Sequence, residues 1–231
     1  MSIAEKLTTI AENQQRVYDK GYTDGVDFAP PTEIPSYYKI SNLNEVGETE
    51  LVLDLPSITD FKHFFHQCVT NTTVEHITLN GSQDGSITNM YQCFSSVNQT
   101  SDNKLKRITL NCNLSNCTDF RGLCERLAAL EVVDGTPIDF SSATSIGNMF
   151  YYGNKVKEFR VKPSTIKTDI DFTHANDISN ETIQSIIDGL VDLKGQPQKT
   201  ITFGWVNSPK ITTELRDVIL GKNWQGSYFD D

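Results

Sequence analysis

A ten-residue motif that begins with threonine occurs four times between residues 59 and 153, and this repetition limits the possible folds more than any other feature. We call the copies motifs 1 to 4: TDFKHFFHQC (59–68), TNMYQCFSSV (88–97), TDFRGLCERL (118–127) and TSIGNMFYYG (144–153). Their third, sixth, seventh and tenth positions are apolar, apart from Gly153. Because neighbours three and four residues apart share one side of a helix, the spacing predicts a short helix in each motif. The threonine is its candidate N-cap.

A second pattern follows each motif and has apolar residues at its first, fourth and sixth positions. The four copies are Val74, Ile77 and Leu79; Leu105, Ile108 and Leu110; Leu127, Leu130 and Val132; and Val156, Phe159 and Val161. Residues two apart point to the same side of an extended chain, so each copy predicts a short strand with one buried face. Leu51 with Leu53 predicts a strand before motif 1, and Ile201 with Phe203 predicts one after motif 4.

A helix and a strand of this size cannot bury their apolar faces alone, so the repeated units are expected to stack on one another. Stacking gives a continuous core and aligns the strands as a parallel sheet. A repeat of roughly 20–29 residues with one strand and one helical turn is typical of leucine-rich repeats. The sequence therefore predicts an α/β repeat fold: an irregular leucine-rich-repeat solenoid with a short helix and a short parallel strand in each repeat.

The motifs resemble the BspA-type leucine-rich repeats, whose units carry a T-x-M-x-x-M-F-x-x-C helix followed by L-x-x-L-x-L. The resemblance covers residues 51–162 and extends more loosely to the C-terminal end. It departs from the family pattern at the tenth position, where only motif 1 keeps the cysteine, Cys68, and in the varied lengths between helix and strand. Members of this family are typically bacterial-surface, phage-encoded or protozoan-surface proteins. The resemblance implies that the repeats bind a partner and do not catalyse a reaction.

Residues 1–25 have a different spacing, which predicts an amphipathic or coiled-coil-like helix. Its apolar seam, with one polar member, consists of Ile3, Leu7, Ile10, Gln14 and Val17. Steps of four and three residues are typical of a helix that associates with copies of itself, so we expect a homotrimer through this helix. A helix folded back on its own repeats is the alternative. Residues 26–50 contain three prolines and no apolar period, and they predict a linker or an extended packing arm.

Residues 163–231 predict a C-terminal repeat or capping unit, because the end of a repeat stack would otherwise expose its core. Ser179 is a candidate N-cap for a helix that carries Ile183, Ile186 and Leu190 on one face. The segment SPKITTELRDVILGKNW predicts a final helix. This unit and the leader resemble parts of tail-associated structural proteins of phages and prophages from Gram-positive gut bacteria.

Charge and hydropathy exclude several classes of partner. The formal net charge of −10 argues against nucleic acid, whose backbone is bound mostly by clustered Lys and Arg. No apolar run approaches the roughly 18 residues that a membrane span needs, so we expect no membrane insertion. The N-terminal residues lack the basic and apolar regions of a secretion signal, which predicts synthesis in the cytoplasm without export by that route. The expected partner is a protein or a surface glycan.

The sequence contains little support for a catalytic or metal-binding site. His63 and His66 are three residues apart and could share a metal ion, but zinc sites in proteins usually take about three or four protein ligands and no third ligand has a matching spacing. A solvated helix face is favoured for this pair, while His76 and His174 are isolated. The sequence contains no GxSxG elbow and no HExxH motif. We therefore predict no catalytic, cofactor-binding or metal-binding residue, and no cofactor.

Other reactive or aromatic side chains are expected to be structural. Asp169 and Asp171 alternate with apolar residues and should face water, while Trp205 and Trp224 are favoured as core residues of the capping unit over ligand-binding aromatics. The cysteines are odd in number and form no CxxC pair, which predicts reduced, buried thiols. They are Cys68, Cys93, Cys112, Cys117 and Cys124. The glycosylation-type sites at Asn71 and Asn98 carry little weight without a secretion signal.

Together these features predict a non-catalytic protein- or glycan-interaction or structural module that is virion-associated, as a phage or prophage tail component. A bacterial cell-surface leucine-rich-repeat adhesin is the alternative. An enzyme with a site built across the repeats is a second alternative, which no motif supports. The predicted leader helix and the missing secretion signal favour the virion component over the surface adhesin.

Overall fold

A computed structural model describes residues 49–65, 73–96 and 104–227 of the chain. The predicted leader helix with its seam of Ile3, Leu7, Ile10, Gln14 and Val17 lies outside the described residues, as does most of the predicted 26–50 linker. The described part is an α/β structure with two sheets of parallel strands and few helices. The parallel arrangement that the sequence predicted is confirmed.

The first sheet has five strands, and their order across the sheet is their order along the chain. They are β1 (Glu50–Leu55), β2 (His76–Gly81), β3 (Arg107–Asn111), β4 (Val132–Ile138) and β5 (Glu158–Val161). In β1 and β2 every second residue is buried, because one face of the sheet covers the core and the other faces solvent. The predicted core pairs Leu51 with Leu53 and Ile77 with Leu79 are confirmed at these buried positions.

The register of β4 corrects one prediction. Ile108 pairs with Val133 and Leu110 pairs with Gly135, so the third copy of the strand pattern starts at Leu130, three residues later than the sequence suggested. Gly135 has φ +92, and a Cβ at this position would lie 2.4 Å from the carbonyl oxygen of Leu110. Gly135 is the sixth position of the copy that starts at Leu130, and no apolar side chain fits there. The sequence pattern therefore pointed to the wrong register. The ladder then shifts, and Ile138 pairs with Val161.

The described residues of the ten-residue motifs form turns, so the helix predicted for each motif is wrong. The fifth residue of each motif has a left-handed backbone: His63 (φ 59), Gln92 (φ 49), Gly122 (φ 61) and Asn148 (φ 58). A right-handed helix cannot pass through such a residue. The apolar positions were nevertheless correct, because every described side chain at the third, sixth and seventh positions is buried. Phe65 and Phe94 illustrate the stacking, with ring centroids 5.1 Å apart.

Backbone N–H groups of motifs 1 to 3 donate to the next motif along the chain. The third-position groups show the pattern: Phe61 donates to the Asn89 carbonyl, Met90 to Asp119 and Phe120 to Ser145, each at 2.9 Å. The threonines are not N-caps. The hydroxyls of Thr88, Thr118 and Thr144 donate to the threonine carbonyl of the preceding motif at 3.2, 3.2 and 3.1 Å. Neighbouring motifs therefore satisfy each other's backbone.

The second sheet contains three parallel strands, again in chain order: β6 (Ile170–Phe172), β7 (Lys199–Phe203) and β8 (Trp224–Ser227). Two α-helices belong to the same described region, α1 (Asn180–Gly189) and α2 (Thr213–Gly221), with a short 3-10 helix at Ser208–Lys210. The predicted cap is confirmed, because the Ser179 side chain accepts the N–H of Thr182. The final predicted helix is also confirmed, and it is capped by Thr212.

Helix α1 joins the two sheets. The Phe159 N–H of β5 donates to the Thr182 hydroxyl at 3.3 Å, and the Val161 N–H donates to the Ser185 hydroxyl at 3.0 Å. Side-chain hydroxyls on α1 therefore replace the sixth strand that the edge of the first sheet would otherwise accept. The cores are also continuous, since the Phe172 ring lies 5.5 Å from Phe159 and 6.0 Å from Phe203.

Candidate binding surfaces

The solvent-facing side of the first sheet, which we call the strand face, is polar and spans five strands. It consists of Glu50, Val52, Asp54, His76, Thr78, Asn80, Arg107, Thr109, Asn111, Val132, Asp134, Glu158 and Arg160. The parallel register places side chains of successive strands in rows across the sheet. Rows of this kind hold polar groups at fixed spacings and can bind an extended partner.

Hydrogen bonds connect the strand face from strand to strand. His76 Nε2 lies 2.9 Å from the Thr109 hydroxyl, which donates to Asp134 Oδ1 at 2.5 Å. Arg107 also donates to Asp134 and forms an ion pair with it. The rotamers are therefore constrained before any partner binds, which lowers the entropy cost of binding.

A row of alternating charges borders the strand face where the strands begin. Lys106 Nζ lies 2.8 Å from Glu75 Oε2, and Lys157 Nζ lies 3.5 Å from Glu131 Oε2 and 3.8 Å from Asp177 Oδ2. The hydrogen bond with Glu75 raises the pKa of Lys106. Exposed pairs contribute little stability, so the row mainly keeps this border close to electrically neutral.

A cavity of about 630 Å³ lies where the strand face meets the start of α1. Its lining is Val133, Asp134, Gly135, Glu158, Phe159, Arg160, Ser179, Glu181, Thr182 and Ser185. The register shift in β4 and the left-handed Gly135 lie at this cavity, since the strands no longer run in step there. Carboxylates, one guanidinium and hydroxyls dominate the lining, so the cavity suits a polar group of a ligand.

The ten-residue motifs form the opposite side of this part of the molecule, which we call the turn face. On motif 2 the Tyr91 ring is covered by cations, with the Arg121 guanidinium 4.8 Å and the Lys62 ammonium 5.9 Å from its centroid. Arg121 also donates to Asp119, from Nη2 to Oδ2 at 2.6 Å. Burial alone would raise the pKa of Asp119, but the hydrogen bonds and charge of Arg121 lower it. Tyr91 is thus already occupied by intramolecular partners.

Three rings further along the turn face form what we call the aromatic triad: Tyr151, Tyr152 and His174. The Tyr151 centroid lies 4.2 Å from Tyr152 and 4.4 Å from His174, and Tyr152 lies 5.1 Å from His174. All three side chains are half-buried. A hydrogen bond with Tyr152 raises the pKa of Tyr151. Arg126 lies 6.0 Å from the Tyr152 centroid.

Trp205 and Trp224 differ in their surroundings. Trp224 is fully buried and its indole N–H donates to the Val191 carbonyl at 2.8 Å, as expected for a core residue. The same prediction is wrong for Trp205, which is 72% exposed. Trp205 lies in the turn after β7, directly after Gly204. A Cβ at Gly204 would lie 2.5 Å from the Thr173 carbonyl oxygen, so the two turns approach each other closely here.

The candidate histidines do not come together. His63 packs against Tyr91 with ring centroids 5.0 Å apart, His76 is on the strand face and His174 belongs to the aromatic triad. His66, Asn71 and Asn98 lie outside the described residues. Within residues 49–65, 73–96 and 104–227, no three His, Cys, Asp or Glu side chains are close enough to hold a metal ion.

The two aspartates are exposed as predicted. Asp169 Oδ1 accepts the Thr200 N–H at 2.7 Å, and Asp171 Oδ1 accepts the Thr173 N–H at the same distance. Both carboxylates therefore hold the backbone of the second sheet and its turns.

The described cysteines are buried and free, as the sequence predicted: Cys93, Cys112, Cys117 and Cys124. Burial raises the pKa of Cys112 and of Cys117 to about 12, and it raises that of Cys124 as well. These thiols are protonated at neutral pH and are poor nucleophiles. Cys68 lies outside the described residues.

Sequence reasoning missed the aromatic triad, although a signal was present. The eighth and ninth positions of motif 4 are Tyr151 and Tyr152, whereas motif 2 has two serines and motif 3 has Glu125 and Arg126 there. In motif 2 the two serines are buried, whereas the side chains at these positions of motifs 3 and 4 are only half-buried, so two tyrosines in motif 4 place aromatic rings partly in contact with solvent. The interpretation of the motif as a helix obscured that distinction.

Neither α-helix in the described residues is long and apolar enough to cross a membrane. Comparisons of the chain with models of protein families, with curated proteins and with solved structures find no match.

Proposed function

We propose that this chain is a non-catalytic interaction module, an irregular leucine-rich-repeat solenoid that binds a protein or glycan partner through its strand face. The observation that carries the proposal is the strand face itself: five consecutive parallel strands expose one continuous polar surface, and side-chain hydrogen bonds connect the first four of them. Hydrogen bonds to neighbouring strands hold the rotamers of its side chains. A polar cavity lies at the β5 side of this surface. Such a surface is suited to recognition and offers no activated nucleophile.

The solenoid interpretation is supported by the way the motifs stack. Motifs 1 to 3 each donate backbone hydrogen bonds to the next motif, and the order of the strands across each sheet is their order along the chain. Units that contact only their neighbours are the defining property of repeat proteins. The C-terminal unit is suited to the role of a cap, because the hydroxyls of Thr182 and Ser185 close the β5 edge.

We further propose that the module is a tail-associated component of a phage or prophage, with a cell-surface adhesin as the alternative. The proposal depends on the leader, whose seam of Ile3, Leu7, Ile10, Gln14 and Val17 favours a homotrimer. A symmetric trimer presents the same surface three times and so gains avidity. Light scattering at tens of micromolar should give a trimer for the full chain and a monomer for the chain without residues 1–25. A monomeric full chain contradicts the trimer.

Binding through the strand face can be tested with fluorescently labelled full-length protein and whole cells of Gram-positive gut bacteria. We expect saturable binding that Arg160→Glu weakens, because Arg160 lies on the strand face and lines its cavity. Lys194→Glu makes the same change of charge on an exposed residue of the C-terminal unit and should bind like the wild type. Equal binding by both variants, with the wild type saturable, places recognition elsewhere and contradicts the strand-face assignment.

A further inference from the structure

We propose that the aromatic triad, together with Trp205, is a separate binding site for a neutral glycan on the turn face. The inference rests on the proposed interaction function only in that the chain binds an external partner. It assigns a different surface and a definite ligand chemistry: uncharged sugar rings that stack on aromatic faces.

The triad is a group of three mutually tilted rings with polar edges. The Tyr151 and His174 rings are nearly perpendicular, at 75°, and Tyr152 is tilted by 58° to Tyr151 and by 52° to His174. Rings set at such angles leave faces and edges open and do not close into a flat stack. Phenol and imidazole groups also supply hydrogen-bond donors and acceptors beside the apolar faces.

Trp205 occupies the equivalent place in the next turn. Phe172 pairs with Phe203 in register, and His174 and Trp205 each follow two residues later. The two turns are held together, since the Asn207 amide donates to the Ala175 carbonyl at 2.5 Å. Adjacent parallel strands are about 4.8 Å apart, so the segments that follow Phe172 and Phe203 leave the sheet side by side. The triad and the tryptophan therefore belong to neighbouring turns and can contact one glycan chain.

The backbone of Tyr152 indicates that its ring has a role beyond packing. Its φ of 59 lies in the left-handed region, which is unfavourable for every residue with a side chain and especially for a bulky one. Arg126 has the same conformation at the ninth position of motif 3, so the motif geometry imposes it. Glycine or asparagine would satisfy the geometry better. Strained residues are common where a ligand binds.

The charges around the triad favour a neutral ligand. The Arg126 guanidinium is paired with Glu125, with Nε 3.3 Å from Oε1. Asp171 and Asn148 line a shallow depression together with Tyr151 and His174. An anionic ligand would meet the Asp171 carboxylate, whereas a sugar hydroxyl can donate to it. The amide of Asn148 can serve the same ligand as donor and acceptor.

A glycan explains this surface better than a protein partner. The core of a protein interface combines aromatic residues with a larger buried apolar area. Around the triad, the large exposed apolar side chains that the structure describes are only Trp205 and Val206, and the neighbours are amides and carboxylates. Aromatic rings with amide and carboxylate groups beside them match the two kinds of surface on a sugar, its C–H faces and its hydroxyl edges.

The test is a titration of the full-length chain with three neutral linear glycans: cellohexaose, maltohexaose and chitohexaose. Calorimetry measures the dissociation constant. Tryptophan fluorescence is an independent reporter, because Trp205 is exposed and Trp224 is buried, so a sugar on the site alters emission and acrylamide quenching of Trp205. At least one glycan should bind saturably. Trp205→Ser and Tyr152→Asn should each raise its dissociation constant about tenfold, as expected for the loss of one stacked ring.

Tyr91→Ser is the matched control, since it removes a tyrosine from the same face whose ring Arg121 already covers. It should change the dissociation constant by less than about twofold. Tyr152→Asn suits the left-handed backbone, so the variant keeps its fold, which circular dichroism verifies. Arg160→Glu should bind the glycan normally, which separates failure of this site from failure of the strand face.

Two results would overturn the proposal. One is no heat and no fluorescence change with any of the three glycans, and the other is equal affinity in the wild type, Trp205→Ser and Tyr152→Asn. Binding of the labelled protein to treated cells also distinguishes a glycan ligand from a protein ligand. Binding that Tyr152→Asn weakens should be lost after periodate oxidation of the cells and survive protease treatment. Loss after protease alone would assign the triad to a protein partner and refute the glycan.

Discussion

Residues 50–161 and residues 170–227 both build parallel sheets, but they satisfy the backbone of their connecting segments in different ways. In the first region motifs 1 to 3 each donate several N–H groups to the next motif. In the second region α1 and α2 close their hydrogen bonds internally and begin at capping residues, Ser179 and Thr212. The first solution depends on neighbours and the second on local sequence.

This difference has consequences for stability. A turn motif without its neighbour would leave several N–H groups without a protein acceptor, so we infer that the first region forms only as a stack. A capped helix can form before its packing is complete, although short helices are marginal alone. Helix α1 belongs to the second region, and its hydroxyls bind the last strand of the first. The second region therefore supplies the hydrogen-bond acceptors that the last strand of the first region needs.

The surfaces differ as well. The large exposed apolar side chains of the described residues are concentrated in the second region, at Trp205, Val206, Val218 and Leu220, with Val52 alone in the first. The buried thiols are all in the first region. Charge and hydrogen-bond networks cover the strand face. The two regions thus offer different chemistry to a partner.

The largest expected effect tests whether the two regions share one core. Phe150 is buried, and its ring lies 4.8 Å from Phe159 in the first sheet and 6.5 Å from Phe172 in the second. Phe150→Ala should lower the free energy of unfolding by about 3–5 kcal/mol, as a large-to-small change in a core. Urea unfolding followed by circular dichroism and by tryptophan fluorescence should give one coincident, shifted transition.

The control for this experiment is Lys62→Ala, at an exposed position of motif 1, which should change stability by no more than about 0.5 kcal/mol. Two separate transitions in the Phe150→Ala protein, with only the first region destabilised, would show that the regions fold independently.

A smaller effect is expected at the junction. Ser185→Ala removes the hydroxyl that accepts the Val161 N–H and leaves a donor at the sheet edge without its partner. The cost should be about 1–3 kcal/mol. Gln184→Ala, next to it on the exposed side of α1, provides the comparison and should be nearly neutral. Hydrogen exchange should show faster exchange of the Val161 amide in Ser185→Ala. Unchanged exchange there would mean that α1 does not close the β5 edge.

If motif 4 is a turn and α1 is a helix, replacing alanine by glycine should change the stability in opposite directions at Asn148 and at Gln184. At Asn148, which is left-handed, the glycine variant should be more stable than the alanine variant by about 1 kcal/mol. At Gln184 in α1, alanine should be more stable than glycine by about the same amount. Comparing alanine with glycine at each site cancels the loss of the original side chain. Thermal unfolding of the four proteins decides the matter, and a preference for alanine at both sites would restore the helical interpretation of motif 4.

The smallest effect concerns pH and belongs to the first region alone. Burial raises the pKa of Cys112 to about 12 from its ordinary value of 9.0. Since the folded-state pKa is the higher one, the stabilisation is complete below pH 9.0 and is lost as the pH rises towards 12. Between about pH 8 and 9.5, ionisation of each such thiol in the unfolded chain should lower the free energy of unfolding by less than about 1 kcal/mol. Cys112→Ala should flatten the measured loss of stability relative to the wild type. An identical slope would mean that this thiol ionises freely in the folded protein.

The sequence by itself determined which side chains of the motifs are buried and that Ser179 caps a helix. The motif spacing correctly assigned Phe61, Phe94 and Met149 to the core. The strand pattern gave the parallel sheet, and Ser179 marked the start of α1. These features follow from local periodicity and from side chains that bind their own backbone, and both can be recognised in a single stretch of chain.

Only the tertiary structure decided whether the motifs are helices or turns. The same apolar spacing fits both, and the choice depends on whether an N–H group finds its acceptor four residues back or in the next motif. The left-handed residues at His63 and Asn148 record that choice, and they could have been suspected because His and Asn tolerate this conformation. The β4 register was also decided by a contact between strands, because Gly135 leaves room for the Leu110 carbonyl. The aromatic triad arises in the same way, since Tyr152 and His174 meet only when adjacent turns stack. Contacts between distant segments have no local period, and therefore they had to be seen in three dimensions.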